Sequence, residues 1–301
     1  MDSTRPMDRA GGRPEDYELL GEIGRGGMGV VWRARHVRLN RLVALKTLRP
    51  GSRVDMRTLD RFRDEAAAAA ILVHPNIVPL YEMGEWGGKP FFAMALLEGG
   101  TLADYRGKHP RPDFRHVAAL VARLARAVHY AHQRGLIHGD LKPANVLLDD
   151  QGEPQLTDFG LAHWVDGGDP RWIAGTPAYM APEQVRGDVH LTTAVDVHGL
   201  GALLYELLTG SPPYGKGDLE RLLPAIQRSP VPSAHALDPT IDLDLDAVLK
   251  RALAKAPQDR YASAAELAEE LDRWLDGELV RANGVTTPMG FKESALGCSK
   301  S

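Results

Sequence analysis

The chain carries a single cysteine, Cys298, so neither a disulfide nor a cysteine-built zinc site can form within one copy. That usage fits a reducing compartment, and a cytoplasmic protein, or a cytoplasmic fragment of a longer anchored one, is expected. No apolar run approaches the roughly 18–20 residues that cross a bilayer. The longest small-apolar stretch, AAAAAILV at 66–73, belongs to a helical pattern. The opening residues, MDSTRPMDRAGGRP, lack an apolar core and do not read as a secretion signal. Excess charge is small, with a net of −4, so neither nucleic acid nor an anionic membrane is implied as a partner. No internal repeat is visible. What remains is ordinary for a globular protein: 301 residues, 44% hydrophobic and 25% charged, enough for a sizeable core.

Residues 1–16 are polar and rich in Gly and Pro, and read as a disordered arm. From Tyr17 to Leu48 β-branched and aromatic residues broken by glycines predict strands. Residues 57–73 predict a helix, which HPNIV breaks, and short strands follow to about Leu97. EGG at 98–100 is a natural hinge. Beyond it the chain turns helical. A long amphipathic helix over 114–134 follows Asp113, a good N-cap. A strongly apolar helix over 194–209 is closed by Gly210 and then Pro212-Pro213. Ser263 and Glu266 stand in capping-box spacing before the last helix, which Gly277 ends. Residues 277–301 form a polar tail without periodicity. The picture is a small β-rich unit over 17–97 and a larger helical one over 98–276, with a cleft between them, where ligands tend to bind.

Five motifs occur in order along this frame. GRGGMGVV at 24–31 contains G-x-G-x-x-G-x-V, a weak signal alone. A dinucleotide-binding turn would run straight into a helix, whereas VVWRARHVRLNRLVALK reads as two strands joined by a turn. A hairpin flap over phosphates is the better match. In VALK, 43–46, alternation puts Ala44 and Lys46 on one face of a strand, a small residue beside a cation. Glu65, in the predicted helix of the same unit, is the expected counter-charge. HGDLKPAN, 138–145, sets Asp140, Lys142 and Asn145 on one short loop stiffened by Pro143. TDFG, 157–160, adds Asp158. Phosphoryl transfer needs cations at the phosphates and oxygen ligands for magnesium, which Asn145 and Asp158 can supply. GTPAYMAPE, 175–183, completes the series. His129 and His132, one helical turn apart, have no third ligand nearby and are expected in an ordinary packing or surface role and not as metal ligands.

In this order the motifs resemble the eukaryotic-like (Hanks-type) serine/threonine protein kinases, in particular their bacterial branch, over about residues 17–276. The resemblance implies an α+β bilobal protein-kinase fold: a small β-rich N-lobe with one main helix, and a larger, mainly helical C-lobe. It implies transfer of the γ-phosphate of ATP to Ser/Thr hydroxyls of protein substrates, with Mg2+ as the metal and Mn2+ as a possible substitute. Gly24, Gly26 and Gly29 would cover the phosphates. Lys46 would hold them and pair with Glu65. Asp140 would orient the substrate hydroxyl and accept its proton, with Lys142 neutralising the moving phosphoryl group. Asn145 and Asp158 would bind the metal. Ile23, Val31, Ala44 and Leu147 would sandwich adenine, with Met94 as gatekeeper and the backbone of 95–97, including Ala95 and Leu97, as hinge. Thr176 would bond near Asp140 and Lys142, Glu183 would pair with Arg260, and Asp196 would brace the catalytic loop. Where the family usually has tryptophan and then serine or alanine after that aspartate, this chain has His198 and Gly199; no consequence follows from sequence.

A second departure carries more. The family usually reads His-Arg-Asp where this chain has His138-Gly139-Asp140. The arginine commonly meets a phosphorylated residue of the activation segment, and a phosphate orders a loop only where cations receive it. Residues 161–180 contain no serine and one threonine, Thr176, besides Tyr179. Missing cation and missing anion agree, so control by activation-loop phosphorylation is not expected. The segment would be ordered by its own packing through Trp164, Trp172 and Ile173; the competing reading has Arg171 replace the lost cation. His-Gly-Asp is also the signature of aminoglycoside phosphotransferases, from which the full glycine loop, D-L-K-P-x-N, D-F-G and A-P-E depart. A pseudokinase scaffold is the other alternative; it typically lacks one of the catalytic positions, all of which are present here.

Overall fold

The computed structural model describes residues 14–26, 29–48, 56–86, 89–108, 112–159, 163–164 and 176–283. The expectations for the arm before residue 14, for Arg171, Trp172 and Ile173, for the Trp164 side chain, and for the tail after 283 lie outside the described residues.

Alternating strand residues build the first layer. Strands β1 (Tyr17–Arg25), β2 (Gly29–His36) and β3 (Arg41–Leu48) run as a meander, with Asn40 at φ 47° in the β2–β3 turn. Helix α1 (Met56–Ala70) intervenes before β4 (Leu80–Trp86) and β5 (Lys89–Ala95). The antiparallel sheet has the order β1-β2-β3-β5-β4. Its period of two divides the side chains cleanly. Val43, Leu45, Phe91 and Ala93 pack on one face, with Tyr17 and Ala34. Ala44, Leu48, Phe92 and Met94 pack on the other, where Phe62 and Ala66 of α1 lie against them. The rings of Phe62 and Phe92 are 5.0 Å apart. Glu65 shares the buried stripe of α1 with these two residues, so burying the helix also buries a carboxylate. The helix stops at Ala70, before the expected 73; Ile71 and Val73 are exposed there, so no packing holds a further turn. The following segment pins to the helical layer through Val78 N–H to Leu156 O (2.9 Å) and Leu156 N–H to Asn76 O (2.9 Å).

The second layer is helical: α2 (Leu102–Lys108), α3 (Phe114–His132), α4 (Pro182–Arg186), α5 (Ala194–Thr209), α6 (Leu219–Arg228), α7 (Ala234–Leu237), α8 (Leu243–Ala252) and α9 (Ala264–Asp276). Short ribbons β6 (Leu136–Ile137), β7 (Val146–Leu148), β8 (Pro154–Leu156) and β9 (His163–Trp164) carry the loops between α3 and α4. Asp113 caps α3 through the Arg115 N–H (2.9 Å), Ser263 caps α9 through the Glu266 N–H, and Gly210 and Gly277 end α5 and α9 in the left-handed conformation. Helix α5 is apolar all round, and a helix of that kind is stable only when surrounded. Leu200, Leu203, Leu204 and Leu207 are nearly inaccessible; burying each contributes about 2 kcal/mol. This single core, with α3, α8 and α9 around α5, is the rigid base of the loop that holds Asp140. No helix among the described residues is long and apolar enough to cross a membrane.

Candidate active site

The β1–β2 flap closes through Gly26 N–H to Gly29 O (3.0 Å). Gly29 is dictated by space: a Cβ there would stand 2.3 Å from Thr47 O. Behind the flap β3 places Lys46 opposite Val31 and Phe92. The Lys46 ammonium bonds the Glu65 carboxylate and lies 2.6 Å from Asp158 Oδ1. Burial works against the Lys46 charge, but the two carboxylates outweigh it and hold its pKa above the usual lysine value. One ammonium cannot satisfy both carboxylates equally, the buried Glu65 and the partly exposed Asp158. Burial pushes Glu65 up to about 7, with Lys46 opposing and Asp158 adding to the rise. Asp158 is held below its usual value, since Lys46 more than offsets its burial. Asp158 also has φ 60°, an uncommon conformation for a non-glycine residue that costs about 1–3 kcal/mol.

Across the cleft the catalytic loop is organised from below. Asp196 on α5 is buried; its Oδ2 accepts the His138 N–H (2.8 Å) and its Oδ1 the Gly139 N–H (2.8 Å). His132 Nε2 donates to Oδ2 as well (2.7 Å). These donors and nearby imidazoles outweigh burial and keep the carboxyl below its usual range. The His138 Nε2 lies 3.1 Å from Thr157 O and its ring packs on Phe159, tying this loop to the Asp158 segment. Gly139 has φ 75°, where a glycine pays no steric penalty.

Asp140 is fully engaged. Its Oδ2 accepts from Lys142 Nζ (2.5 Å) and Asn145 Nδ2 (3.1 Å), and its Oδ1 from the Thr176 N–H (2.9 Å). Lys142 Nζ also reaches Thr176 Oγ1 (2.8 Å). Asn145 spends its amide nitrogen on the Asp140 backbone oxygen (2.9 Å) and carboxylate, which leaves the amide oxygen uncommitted by these bonds. Glu183 and Arg260 form a buried bidentate pair at 2.6 and 2.8 Å.

Of the residues expected around adenine, Ala44, Met94 and Ala95 are buried in one cluster, with Val31, Leu97 and Leu147 packed against it. Ile23 stands apart, 51% exposed on β1. The Ala95 N–H is taken by Pro79 O (3.0 Å), which narrows the expected strip of hinge donors to residues 96 and 97. Among the described residues no cluster of His, Cys, Asp or Glu suits a metal ion by itself. His132 packs against Asp196, whereas His129 stays on the helix surface beside Gln133.

The departures after Asp196 acquire a physical setting. Gly199 faces the catalytic loop; a Cβ there would lie 3.0 Å from the Cβ of Leu141. His198 is 1% exposed, and among the described residues neither ring nitrogen meets a partner at full hydrogen-bond geometry, although the Tyr179 backbone lies close enough to act on the ring. Burial, with Arg260 and Lys255 nearby, holds its pKa well below the ordinary value.

Two arrangements were invisible in the sequence. Tyr179 donates its phenol to Glu206, a buried carboxylate of α5 that also accepts from Lys216 Nζ (2.8 Å). Gln184 Nε2 donates to Gly139 O (2.8 Å) while its Oε1 accepts the Ala181 N–H (2.9 Å). Both join residues far apart in the chain, and no local pattern announces them.

Residues 17–271 match the protein kinase domain family. The serine/threonine-protein kinase PknB of Mycobacterium leprae is 38% identical over 281 residues, covering 90% of this chain and 45% of the relative. PknB of Mycobacterium tuberculosis matches to the same extent. The serine/threonine-protein kinase PknK of Mycobacterium bovis is 38% identical over 277 residues, covering 90% of this chain and 24% of the relative. The chain thus spans less than half the length of these relatives.

Proposed function

The chain belongs to the protein kinase domain family, and from that premise we propose that it transfers the γ-phosphate of ATP to serine or threonine hydroxyls of proteins. The observation that carries this reading is the convergence of Lys46, bonded to both Glu65 and Asp158, on the cleft floored by Asp140, Lys142, Asn145 and Thr176.

The geometry supports the following roles. Lys46 is a fixed cation for the phosphates, held by Glu65. Asp140 is oriented from three sides, so its carboxylate can aim the substrate hydroxyl and take its proton as the new O–P bond forms. Lys142 offsets charge on the moving phosphoryl group; the β–γ bridge breaks and ADP leaves. Thr176 couples the end of the activation segment to both residues. Asn145 and Asp158 offer hard oxygen donors, which suit Mg2+ and tolerate Mn2+. Burial is the main cause of the raised Glu65 carboxyl, and the nearby Asp158 charge adds to it; a further cation beside Asp158 would relieve that second contribution. When bound, the divalent ion supplies charge neutralisation at the phosphates.

Regulation by a phosphate on the activation segment has little to act on here. Residue 139 presents no side chain, and residues 161–175 carry no hydroxyl. A phosphate on Thr176 that raised activity would contradict this reading.

Intact-mass analysis after incubation with Mg·ATP, with casein and with an aminoglycoside as alternative acceptors, tests the assignment. Phosphate should appear on casein or on the chain itself. Transfer to the aminoglycoside alone, or to nothing, refutes it. The Asp140→Asn variant should lose transfer yet keep a thermal shift with Mg·ATP, since ligand at 100 times its dissociation constant adds about 2.7 kcal/mol.

A further inference from the structure

The Gly139 carbonyl belongs to the peptide unit that begins Asp140, so whatever fixes that carbonyl fixes the backbone of the proposed base. Its peptide neighbour on the other side is already held, because the Gly139 N–H donates to Asp196 Oδ1 (2.8 Å). The carbonyl itself accepts from one side-chain donor, Gln184 Nε2 (2.8 Å). With φ at 75° and no side chain, Gly139 has more freedom to turn than any other residue would at that place.

Gln184 is 8% exposed and uses both ends of its amide. Its Oε1 receives the N–H of Ala181, the residue at the head of α4. Ala181 closes the stretch that starts at Thr176, whose own N–H donates to Asp140 Oδ1 (2.9 Å). The bonds therefore form a closed circuit: Asp140 to Thr176, along the chain to Ala181, through the Gln184 amide to Gly139, and back to Asp140. A cavity of about 10 Å3, lined by Gly139, Leu141, Thr176, Gln184 and Gly199, lies beside the circuit.

We propose that Gln184 is a positioning residue: its amide couples the end of the activation segment to the Gly139–Asp140 peptide, doing with neutral hydrogen bonds what a cation and a phosphate would otherwise do. This rests on the phosphotransfer reading above, and the test separates the two.

The experiment measures kcat and KM of the purified chain with casein and Mg·ATP, for wild type, Gln184→Leu and Gln184→Glu, at pH 6 and pH 8. The Gln184→Leu variant loses both bonds, and its kcat is expected to fall about 10- to 100-fold. Its KM for Mg·ATP should stay within about twofold, because the adenine and phosphate residues lie on other elements. In the Gln184→Glu variant an ionised carboxylate cannot donate to Gly139 O, whereas a protonated one can. Burial raises the pKa of such a carboxyl. Its kcat relative to wild type should therefore rise at least about threefold from pH 8 to pH 6. A residue that only filled space would not produce that pH dependence. Wild-type kcat in the Gln184→Leu variant, or a flat kcat ratio for Gln184→Glu, overturns the proposal. Should the leucine variant fail to fold, the glutamate ratio alone decides. A wild-type chain that phosphorylates nothing removes both readings; an active wild type with indifferent variants removes only this one.

Discussion

Replacing Glu183 with alanine should destabilise the fold more than any other single change near the cleft. The reason lies in Arg260, whose side chain has no exposed surface. Its five N–H donors find five acceptors: Ala254 O (2.7 Å), Ala194 O (2.9 Å), Lys255 O (3.1 Å) and the two oxygens of Glu183 (2.6 and 2.8 Å). The Glu183→Ala change orphans two donors and leaves a guanidinium charge buried without its anion. Arginine cannot shed the proton to escape. Breaking a buried pair this way costs about 3–5 kcal/mol, a large share of the roughly 5–15 kcal/mol that holds a domain together. At about 2–4 °C per kcal/mol for a chain of this size class, the melting midpoint should fall by roughly 6–20 °C. Replacing both partners, Glu183→Leu with Arg260→Met, should cost less than the two single changes summed, because neither charge is then stranded. Thermal and urea unfolding of the four proteins measure this coupling, expected at about 0.5–3 kcal/mol. A single-variant loss under about 1 kcal/mol, or strict additivity in the double variant, would refute the reasoning.

Lys255 gives a pH signature. Its Nζ meets Tyr214 Oη (2.5 Å) and Ile226 O (2.5 Å) but no carboxylate among the described residues. Burial, with Arg260 adding repulsion, lowers its pKa to about 8. The folded chain therefore binds fewer protons than the unfolded one between about pH 8 and 10.4, so this residue's contribution to stability rises with pH across that window. The side chain is only half-buried and solvent screens it, which limits the effect to about 1 kcal/mol. The melting midpoint of wild type relative to Lys255→Met should thus climb from pH 8 to 9.5, and a constant difference would contradict the assignment. The Gly139→Arg change places a side chain at φ 75° and should cost about 1–2 kcal/mol in urea unfolding. It should not raise activity; a gain that a phosphatase reverses would show that the segment does carry a functional phosphate. The His198→Phe change removes two buried nitrogens without partners and should leave the fold as stable as wild type or about 1 kcal/mol more so. A thermal midpoint lowered by more than about 5 °C would mean that the imidazole has a partner after all.

The fold was legible wherever a local pattern is enforced by a single period. Alternation in VALK predicted the faces of β3, and those faces separate into two buried clusters. The apolar run ending at Gly210 predicted α5 to the residue, because a helix buried on every side needs no polar stripe and a left-handed glycine stops it. The last three residues of the α1 pattern failed, since Ile71 and Val73 are apolar yet exposed, and composition alone does not say which apolar residues the packing will cover. In the site, residues carried on motifs were visible because charge, loop stiffness and spacing travel together in sequence. Gln184 and Glu206 were not. Each owes its place to a partner 45 and 27 positions away, on an element whose position only the packed core determines. Ile23 shows the opposite limit: sequence placed it beside Val31, but its strand edge leaves it exposed until something covers it.

The absence of an arginine at residue 139 is therefore two events with one cause. An arginine there would need to hold φ near 75°, about 1–2 kcal/mol uphill for a residue with a Cβ. A chain can sustain that strain when a phosphate returns charge-assisted bonds worth more. Remove the phosphoacceptors from residues 161–175, and the strain has nothing to offset it. Glycine then lowers the energy of the turn, but it also frees the peptide that leads into Asp140. Some other contact must restrain it, and one that is not an ion pair suffices because no phosphate has to be neutralised. Asp196 from below and Gln184 from the side provide that restraint at 2.8 Å each. On this argument these two restraints depend little on ionic strength, since neither bond joins two charges. A phosphate-dependent loop would loosen as salt screens its ion pairs. Activity of the wild-type chain should accordingly change little with salt once substrate binding is saturated, and a steep fall in kcat between about 0.05 and 0.5 M would mean that the Lys142–Asp140 ion pair, and not the bonds to the Gly139 peptides, sets the order of the loop.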